Sequence, residues 1–343
     1  NGISGSYNSS TGVLTLSGTA TVAQYQAALR TVTYSSSSED PTSGSASRTV
    51  SWQVTDANSD GDGAQNSSAV TSTINLTASN DTPVATAGAT LAYSENGSAA
   101  AIDNTIALSD SDDTQITAAT VTLSSGFTNG DTLGFTTQNG ISGSYNSSTG
   151  VLTLSGSATV AQYQSALRTV TYSSGSEDPT STSASRTVSW QVTDANSDGA
   201  GAQNSSSVTS TINLTASNDT PVATAGGTLA YSEHDSATAI DSTLTLSDSD
   251  DTQITAATVT ISSGLTSGDT LGFTTQNGIS GSYNSGTGVL TLSGTATVAQ
   301  YQSALRSVTY INSTDDLTST SASRTISWQV TDANSDGAGA QNS

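Results

Sequence analysis

The chain has 343 residues, of which 28 are acidic, six are Arg, one is His and none is Lys, Cys or Met, for a net charge of −22. That balance excludes nucleic acid and anionic membrane surfaces as partners, since both recruit Lys and Arg. It also excludes disulfides, thiol catalysis and Cys- or poly-His-ligated metals, which leaves the chemistry of oxygen ligands.

Along the chain, apolar residues alternate in short runs rich in Val, Ile, Thr and Tyr, separated by Gly, Asn, Asp and Ser, which predicts strands joined by turns. The first runs are residues 12–16, 48–54 and 72–76. Asn80-Asp81-Thr82-Pro83-Val84 follows. Its Pro fixes φ and holds the preceding residue extended, so it reads as a linker. Beyond it, strands are predicted near 84–94, 100–109, 116–124, 132–137, 142–146 and 150–155. Thr159 then caps a short helix reaching Arg168, with Val160, Tyr163 and Leu167 on its buried stripe. Strands near 167–173, 185–193 and 206–215 lead to a second linker, Asn218-Asp219-Thr220-Pro221-Val222. Many short antiparallel strands at this density predict an all-β chain of tandem Greek-key, immunoglobulin-like β-sandwiches with one short helix per repeat. Trp52, Trp190 and Trp328 occur once per repeat on the most regular strand and are expected to anchor cores. No apolar run approaches the roughly 18 residues of a membrane span. The opening residues lack the plan of a signal peptide, so any export signal is expected outside this sequence.

The segment Asn1 to Tyr7 returns at Asn139 and Asn277, a constant period of 138 residues. Solenoid units of about 20–50 residues cannot bury a core alone, whereas this period matches a whole domain. Residues 1–80 differ from 139–218 only at Thr19, Ala27, Ser37, Gly44, Asp62 and Ala69, so the copies read as beads set end to end. The linkers put the domains out of phase with the repeat: 1–79 is the later part of one domain, 82–217 a complete one, and 220–343 one without its last strand. The broken ends read either as an arbitrary cut in a longer repetitive chain or as ends completed by strand exchange between chains.

Acids cluster at the predicted strand ends. The first cluster is D-x-N-x-D-G, at Asp56, Asn58 and Asp60, at Asp194, Asn196 and Asp198, and at Asp332, Asn334 and Asp336. This is the first half of a calcium loop, in which alternate oxygen ligands converge and Gly permits the turn. Ser67 or Ser205 stands at the twelfth position where an EF-hand needs Glu, so an EF-hand is excluded. A β-flanked calcium loop completed from elsewhere and a solvated Asx-rich turn both remain open. The second cluster is Asp110, Asp112 and Asp113, repeated as Asp248, Asp250 and Asp251. Three carboxylates in four residues repel one another unless solvent or a cation screens them. Glu95 and Glu233 stand alone after the first predicted strand of each domain. A Ser–His–Asp site could recruit only His234, whose counterpart in the preceding copy is Asn96, and no cleft is indicated for paired carboxylates, so the chain reads as a non-enzyme.

The ending Trp190-Gln191-Val192-Thr193-Asp194, with Ala216-Ser217-Asn218-Asp219-Thr220-Pro221 beyond the next strand, resembles the close of a cadherin-like repeat. Gly150-Val151-Leu152-Thr153-Leu154-Ser155-Gly156 together with Tyr163 to Tyr172 is similar to the cadherin-like and VCBS-type repeats of large bacterial surface adhesins. The resemblance runs along essentially the whole chain. It implies calcium (Ca2+) shared at the linkers: Asn80 and Asp81 meeting Asp110, Asp112 and Asp194, then Asn218 and Asp219 meeting Asp248, Asp250 and Asp332, with Glu95 reaching the second joint. Ala78 and Ala216 stand where animal cadherins place an acid, which implies fewer ions or weaker binding. The implied function is a stalk or fibre segment of a secreted adhesin or biofilm-matrix protein at the bacterial surface. Its partners would be neighbouring repeats and other copies in a fibre or matrix, with the adhesive tip ligand outside this sequence. The competing readings are a self-assembling filament or surface-layer subunit and a carbohydrate-binding module.

Overall fold

The computed structural model describes residues 2–196, 199, 201–318, 320–334, 337 and 339–343. Near the start, β1 (Ser4–Asn8) and β2 (Val13–Ser17) form an antiparallel hairpin. Then come α1 (Val22–Leu29) and a second antiparallel pair, β3 (Ser47–Trp52) with β4 (Val70–Asn75), in which Trp52 lies opposite Val70. None of the described residues up to 79 is buried.

The middle of the chain supplies β5 (Val84–Thr86), β6 (Thr90–Ser94), β7 (Ala100–Ala101), β8 (Ala107–Ser109), β9 (Gln115–Ser125) and β10 (Asp131–Gly134). It continues with β11 (Ser142–Asn146), β12 (Val151–Thr159), α2 (Val160–Leu167), β13 (Thr171–Ser174), β14 (Ser185–Asp194) and β15 (Val208–Thr215). One sheet has the order β11-β12-β9-β14-β15-β6, a second has the order β10-β13-β7, and β5 pairs with β8. Alternate residues of the first sheet, among them Ile116, Val121, Val188, Trp190 and Ile212, share one buried cluster with Leu133 and Tyr172 of the second. The two sheets are thus the layers of a sandwich, with Tyr163, Ala166 and Leu167 of α2 in the same core. The helix begins with a capping box, Thr159 and Gln162 each satisfying the other's backbone N–H.

Two departures from the sequence reading have one cause. The predicted strands 84–94 and 100–109 are each broken in two, because the buried Asp103 carboxylate accepts the N–H groups of Gly88, Ala89 and Thr105. The chain thereby leaves its pairing with β8 and crosses to the large sheet, where β6 runs parallel to β15 rather than antiparallel. A buried ion pair ties the layers together: Arg186 Nε donates to Asp131 Oδ2 at 2.6 Å, and Tyr172 donates its hydroxyl to Asp131 Oδ1 at 2.6 Å. The Asn139-Gly140 pair, both at positive φ (52° and 77°), closes the tight turn between Gln138 and Ile141. Such a turn requires residues that tolerate the left-handed region at both positions.

The last part repeats this plan with β16 (Val222–Thr224), β17 (Thr238–Ala239), β18 (Thr245–Ser247), β19 (Gln253–Ser263) and β20 (Asp269–Gly272). It continues with β21 (Ser280–Asn284), β22 (Val289–Thr297), α3 (Val298–Arg306), β23 (Thr309–Asn312) and β24 (Thr325–Asp332). Its sheets are β21-β22-β19-β24, β17-β23-β20 and β16-β18, around a second buried cluster that shares no residue with the first. Residues 228–232 repeat the sequence of β6 yet lie outside any strand, and β24 is an edge strand. Of the three expected tryptophan anchors, only Trp190 is fully buried. Trp52 and Trp328 are partly exposed, because among the described residues no strand like β6 flanks β4 and none like β15 flanks β24.

Candidate metal centres at the joints

The acid clusters of the sequence converge at the ends of the sandwiches. In the Ser109-Asp110-Ser111-Asp112-Asp113 turn, Asp110 Oδ1 accepts the N–H groups of Asp112 (3.3 Å) and Asp113 (3.1 Å), which curls the acids back on one another. Asp194, fully buried at the end of β14, brings a carboxylate oxygen within 4.8 Å of oxygens of Asp110 and Asp113. From the linker, Asn80 Nδ2 donates to Asp194 Oδ2 (2.9 Å) and to the Gly201 carbonyl (3.0 Å), while the Asp81 N–H donates to Asp112 Oδ2 (2.7 Å). Gln203 Nε2 donates to the Asn80 carbonyl, clamping the linker to the loop after β14.

The arrangement recurs one repeat later. Asp248, Asp251 and Asp332 bring oxygens within 4.8 Å of one another. Asn218 Nδ2 donates to Asp332 Oδ2 (2.9 Å), and the Asp219 N–H donates to Asp250 Oδ2 (2.7 Å). Asn334 N donates to Asp251 Oδ2 (3.0 Å), tying the loop after β24 to the same cluster.

Burial and a hydrogen bond with the neighbouring Asp112 push the Asp110 carboxyl up to about 6, and burial with Asp250 pushes Asp248 up to about 7. The arginines do not relieve this charge. Arg186 and Arg324 pair with Asp131 and Asp269, and Arg168 and Arg306 donate to the carbonyls of Ile106 and Leu244.

Whether such a site suits a hard cation is tested by what its oxygens lack. The side-chain carbonyls of Asn80 and Asn218 and one oxygen each of Asp110 and Asp248 are buried without a hydrogen-bond partner. Both asparagines are more than nine-tenths buried. Buried, unsatisfied oxygens beside several carboxylates are the donor set that calcium takes.

The D-x-N-x-D-G turns have a different character. In each copy the Asn side-chain carbonyl is occupied by its own loop: Asn58 Oδ1 accepts from Gly63 N at 2.6 Å, and Asn196 and Asn334 accept from Gly201 and Gly339 at 2.5 Å. All three asparagines sit at positive φ, and Asp56, Asp194 and Asp332 each receive the backbone N–H two residues on. These are self-closed Asx turns. Among the described residues of the motif, Asp194 and Asp332 place carboxylates in the buried groups and Asn334 donates its backbone N–H to one of them, whereas Asp56, Asn58 and Asp60 are exposed. Asp198 and Asp336 lie outside the described residues.

A third grouping contains a residue that the sequence reading missed. Glu95, Glu177 and Asp219 place carboxylate oxygens within 4.8 Å of one another, joining the middle sandwich to the linker that follows it. Glu95 is buried and accepts the Ser217 N–H at 2.8 Å. Burial, only partly offset by that bond, and then the charges of Asp219 and Glu177 raise its carboxyl above the ordinary value. Burial and the charge of Asp250, then of Glu177, raise Asp219. The signal for Glu177 was that its position stays acidic in all three copies, as Glu39, Glu177 and Asp315. In the last copy, the corresponding Glu233 and Asp315 are exposed and gather with His234, which lies 3.6 Å from Glu233.

No protein-family model matches the sequence, and no curated protein matches it. Among solved structures, the chain is similar to the extracellular cadherin domains 1–4 of Protocadherin Gamma B7, with 13% identity and a TM-score of 0.30, over 87% of this chain and 56% of that one. It is similar also to the Protocadherin GammaB4 extracellular domain, with 14% identity and a TM-score of 0.28, over 99% of this chain and 40% of that one. A third is mouse Protocadherin-24 EC1-3, with 13% identity and a TM-score of 0.27, over 97% of this chain and 83% of that one. The chain thus spans about half the length of the first two. Scores this low carry no functional weight, and the assignment as all-β sandwiches rests on the strand pairings above. No helix among the described residues is long and apolar enough to cross a membrane.

Proposed function

We propose that the chain is a stalk or fibre segment of an extracellular bacterial adhesin or matrix protein, made of sandwich domains (1–79, 82–217 and 220–343) that calcium locks end to end. Asn80, Asp110, Asp112, Asp113 and Asp194 would hold the cation at one joint. Asn218, Asp248, Asp250, Asp251 and Asp332 would hold it at the next, with Glu95 and Glu177 contributing from the preceding domain and Asp219 from the linker. Calcium bound there would supply the positive charge that these carboxylates lack, with residues from the sandwich and from its linker available to hold it.

The observation that carries this reading is the position of Asp219. Its carboxylate lies with Glu95 and Glu177 of the middle sandwich, while its N–H donates to Asp250 of the next. A cation there would couple the orientations of two separate cores, which makes the role mechanical. The surface location and the bacterial source rest on the sequence resemblance. The test is small-angle scattering with calcium and with chelator. Calcium should lengthen and narrow the distribution of dimensions, and Asp219→Ala should abolish that response while leaving each sandwich folded. An unchanged profile and thermal midpoint on chelation would refute the calcium joint.

A further inference from the structure

Three Asn-Gly pairs lie in the middle sandwich, at residues 96–97, 129–130 and 139–140. In this dipeptide a side-chain carboxamide stands next to the least hindered main-chain nitrogen, because Gly has no β-carbon to shield it. All six residues are exposed, so access to water does not separate the pairs.

What separates them is how the glycine is held. The Gly97 N–H donates to the Ser94 carbonyl at 3.0 Å, Tyr93 donates its hydroxyl to the Gly97 carbonyl at 2.5 Å, and the Asn96 carboxamide donates to Glu95 Oε1 at 3.5 Å. The space is filled as well: a β-carbon on Gly97 would stand 2.7 Å from the Ser94 carbonyl oxygen and 3.4 Å from the Tyr93 ring. At the second pair, the Gly130 carbonyl accepts the Gly175 N–H at 3.1 Å, and a β-carbon would lie 3.1 Å from Ser176 N. The third pair is open. Its turn is closed by the flanking residues alone, Gln138 N–H to the Ile141 carbonyl at 3.1 Å and Ile141 N–H to the Gln138 carbonyl at 2.7 Å. Among the described residues, neither the Gly140 N–H nor the Asn139 carboxamide has a hydrogen-bond partner, and beyond the chain neighbours no atom lies within 4 Å of a β-carbon built on Gly140. Asn277-Gly278 repeats this arrangement in the last sandwich, with φ of 52° and 78° and the same two bonds between Gln276 and Ile279.

We propose that Asn139 and Asn277 are sites of self-catalysed deamidation, and that the fold withholds Asn96 from the same chemistry. The Gly140 main-chain nitrogen, once base has taken its proton, adds to Asn139 Cγ and closes a five-membered ring within one chain, so no second reactant has to be bound. The bond from Cγ to the side-chain nitrogen breaks, and that nitrogen takes a proton and leaves as ammonia. Water then opens the succinimide at either carbonyl. At Cγ it yields aspartate, and at the main-chain carbon it yields isoaspartate, whose main chain runs through Cβ. One water enters for each ammonia lost, with no oxidant or reductant.

Either product adds a negative charge to a chain already at −22. Isoaspartate also lengthens by one carbon a two-residue turn whose geometry depends on both residues lying in the left-handed region. The reciprocal bonds of Gln138 and Ile141 are then lost, and with them the entry into β11, the edge strand of the large sheet. The fold thus carries a slow chemical clock that loosens one sheet edge as the chain ages, and it needs no cation.

The experiment incubates the 343-residue chain in mildly alkaline buffer, folded and in parallel unfolded in urea, with peptide mass spectrometry at intervals. Each site is compared with itself unfolded, which removes the effect of neighbouring residues. In the folded chain Asn139 and Asn277 should convert at close to their unfolded rates. Asn96 should lag its own unfolded rate by roughly tenfold or more, since freeing the Gly97 nitrogen requires local opening against its bonds to Ser94 and Tyr93. Asn129 should fall between them. Hydrogen exchange at the Ile141 N–H should quicken in proportion to the isoaspartate formed at 139. An Asn139 that stays intact in the folded chain while converting in urea overturns the proposal, as does an Asn96 that keeps pace with Asn139 in the folded chain. Isoaspartate at 139 with unchanged exchange at Ile141 overturns the loosening of β11.

Discussion

Residues 1–79 and 139–217 are the same sequence apart from a handful of substitutions, and they reach different states. Both form the hairpin, the capped helix and the Trp-bearing strand pair, in the same register. Yet Leu14 is 40% exposed where Leu152 is 2%, and Val54 is 44% exposed where Val192 is 1%. The difference comes from residues 84–134, whose strands β6, β9 and β10 pair with β15, β12, β14 and β13 in the middle sandwich. The local pairings therefore follow from the repeated sequence itself, whereas burial follows from the strands supplied by residues 84–134.

The largest test of that contrast is a pair of identical substitutions. Trp190→Ala empties a fully buried site and breaks the bond to Ser210, and should cost about 3–5 kcal/mol. Trp52→Ala removes a partly exposed ring and should cost less than about 1 kcal/mol. Denaturant unfolding followed by far-ultraviolet circular dichroism reads both. Equal losses would break the comparison and mean that the first segment acquires a core in solution.

Next comes the acid at the end of the same strand. Asp194→Ala takes one of the two acceptors of Asn80 Nδ2 and the side-chain acceptor of the Gln203 N–H, and removes a buried carboxylate from its cluster. The expected loss is about 1–3 kcal/mol without calcium, together with a fall in the number of bound calcium ions by calorimetry. Asp56→Ala should leave the calcium stoichiometry unchanged, since Asp56 is exposed and its oxygen serves only its own turn. If both variants lost the same number of ions, the local turn would be the site and the linker would not.

The strands and the helix were legible in the sequence because they depend on local alternation, on Thr159 with its capping partner and on turn residues. What was not legible was long-range. Asp103 breaks the predicted strand 84–94 from 14 and 15 residues away, a contact that no period reveals. The parallel pairing of β6 with β15 joins residues more than 100 positions apart, and it replaces the antiparallel run expected over 84–94. At the candidate site, the cadherin-like resemblance named Asn80, Asp81, Asp110, Asp112 and Asp194 together, while the D-x-N-x-D-G spacing left its asparagines an open role, and in the fold their side-chain carbonyls accept N–H groups of their own loop. Glu177 sits in a Ser- and Pro-containing turn resembling many solvated ones, and only the fold carries it to Glu95 and Asp219.

Titration should separate the buried acids from the exposed ones. With Asp110 raised to about 6 and Asp248 to about 7, the folded chain holds protons that the unfolded chain, with these carboxyls near 3.8, has released. In chelator, this contribution to stability is fully present below about pH 4 and is lost as pH rises through about 6 to 7. Calcium needs the ionised carboxylates, so its own contribution grows over the same range. The melting midpoint in chelator should be higher at about pH 5 than at about pH 7.5, and adding calcium should shrink or invert that difference. A midpoint that rises with pH in chelator would mean that these acids are already screened, and Asp110→Asn with Asp248→Asn should flatten the slope.

The smallest effect isolates burial most cleanly, because one hydrogen bond occurs in both states. Tyr163 donates to the Gly156 carbonyl at 2.6 Å, and Tyr25 donates to the Gly18 carbonyl at 2.7 Å. Tyr163 is fully buried, and burial pushes its hydroxyl up to about 12. No residue of α1 is buried. Removing the buried hydroxyl leaves the Gly156 carbonyl without its donor in the core, whereas water replaces the lost donor at Gly18. Tyr163→Phe should therefore cost about 1 kcal/mol and Tyr25→Phe no more than about half of that. Measured by denaturant midpoints on otherwise identical chains, equal costs would mean that Tyr25 is as enclosed as Tyr163.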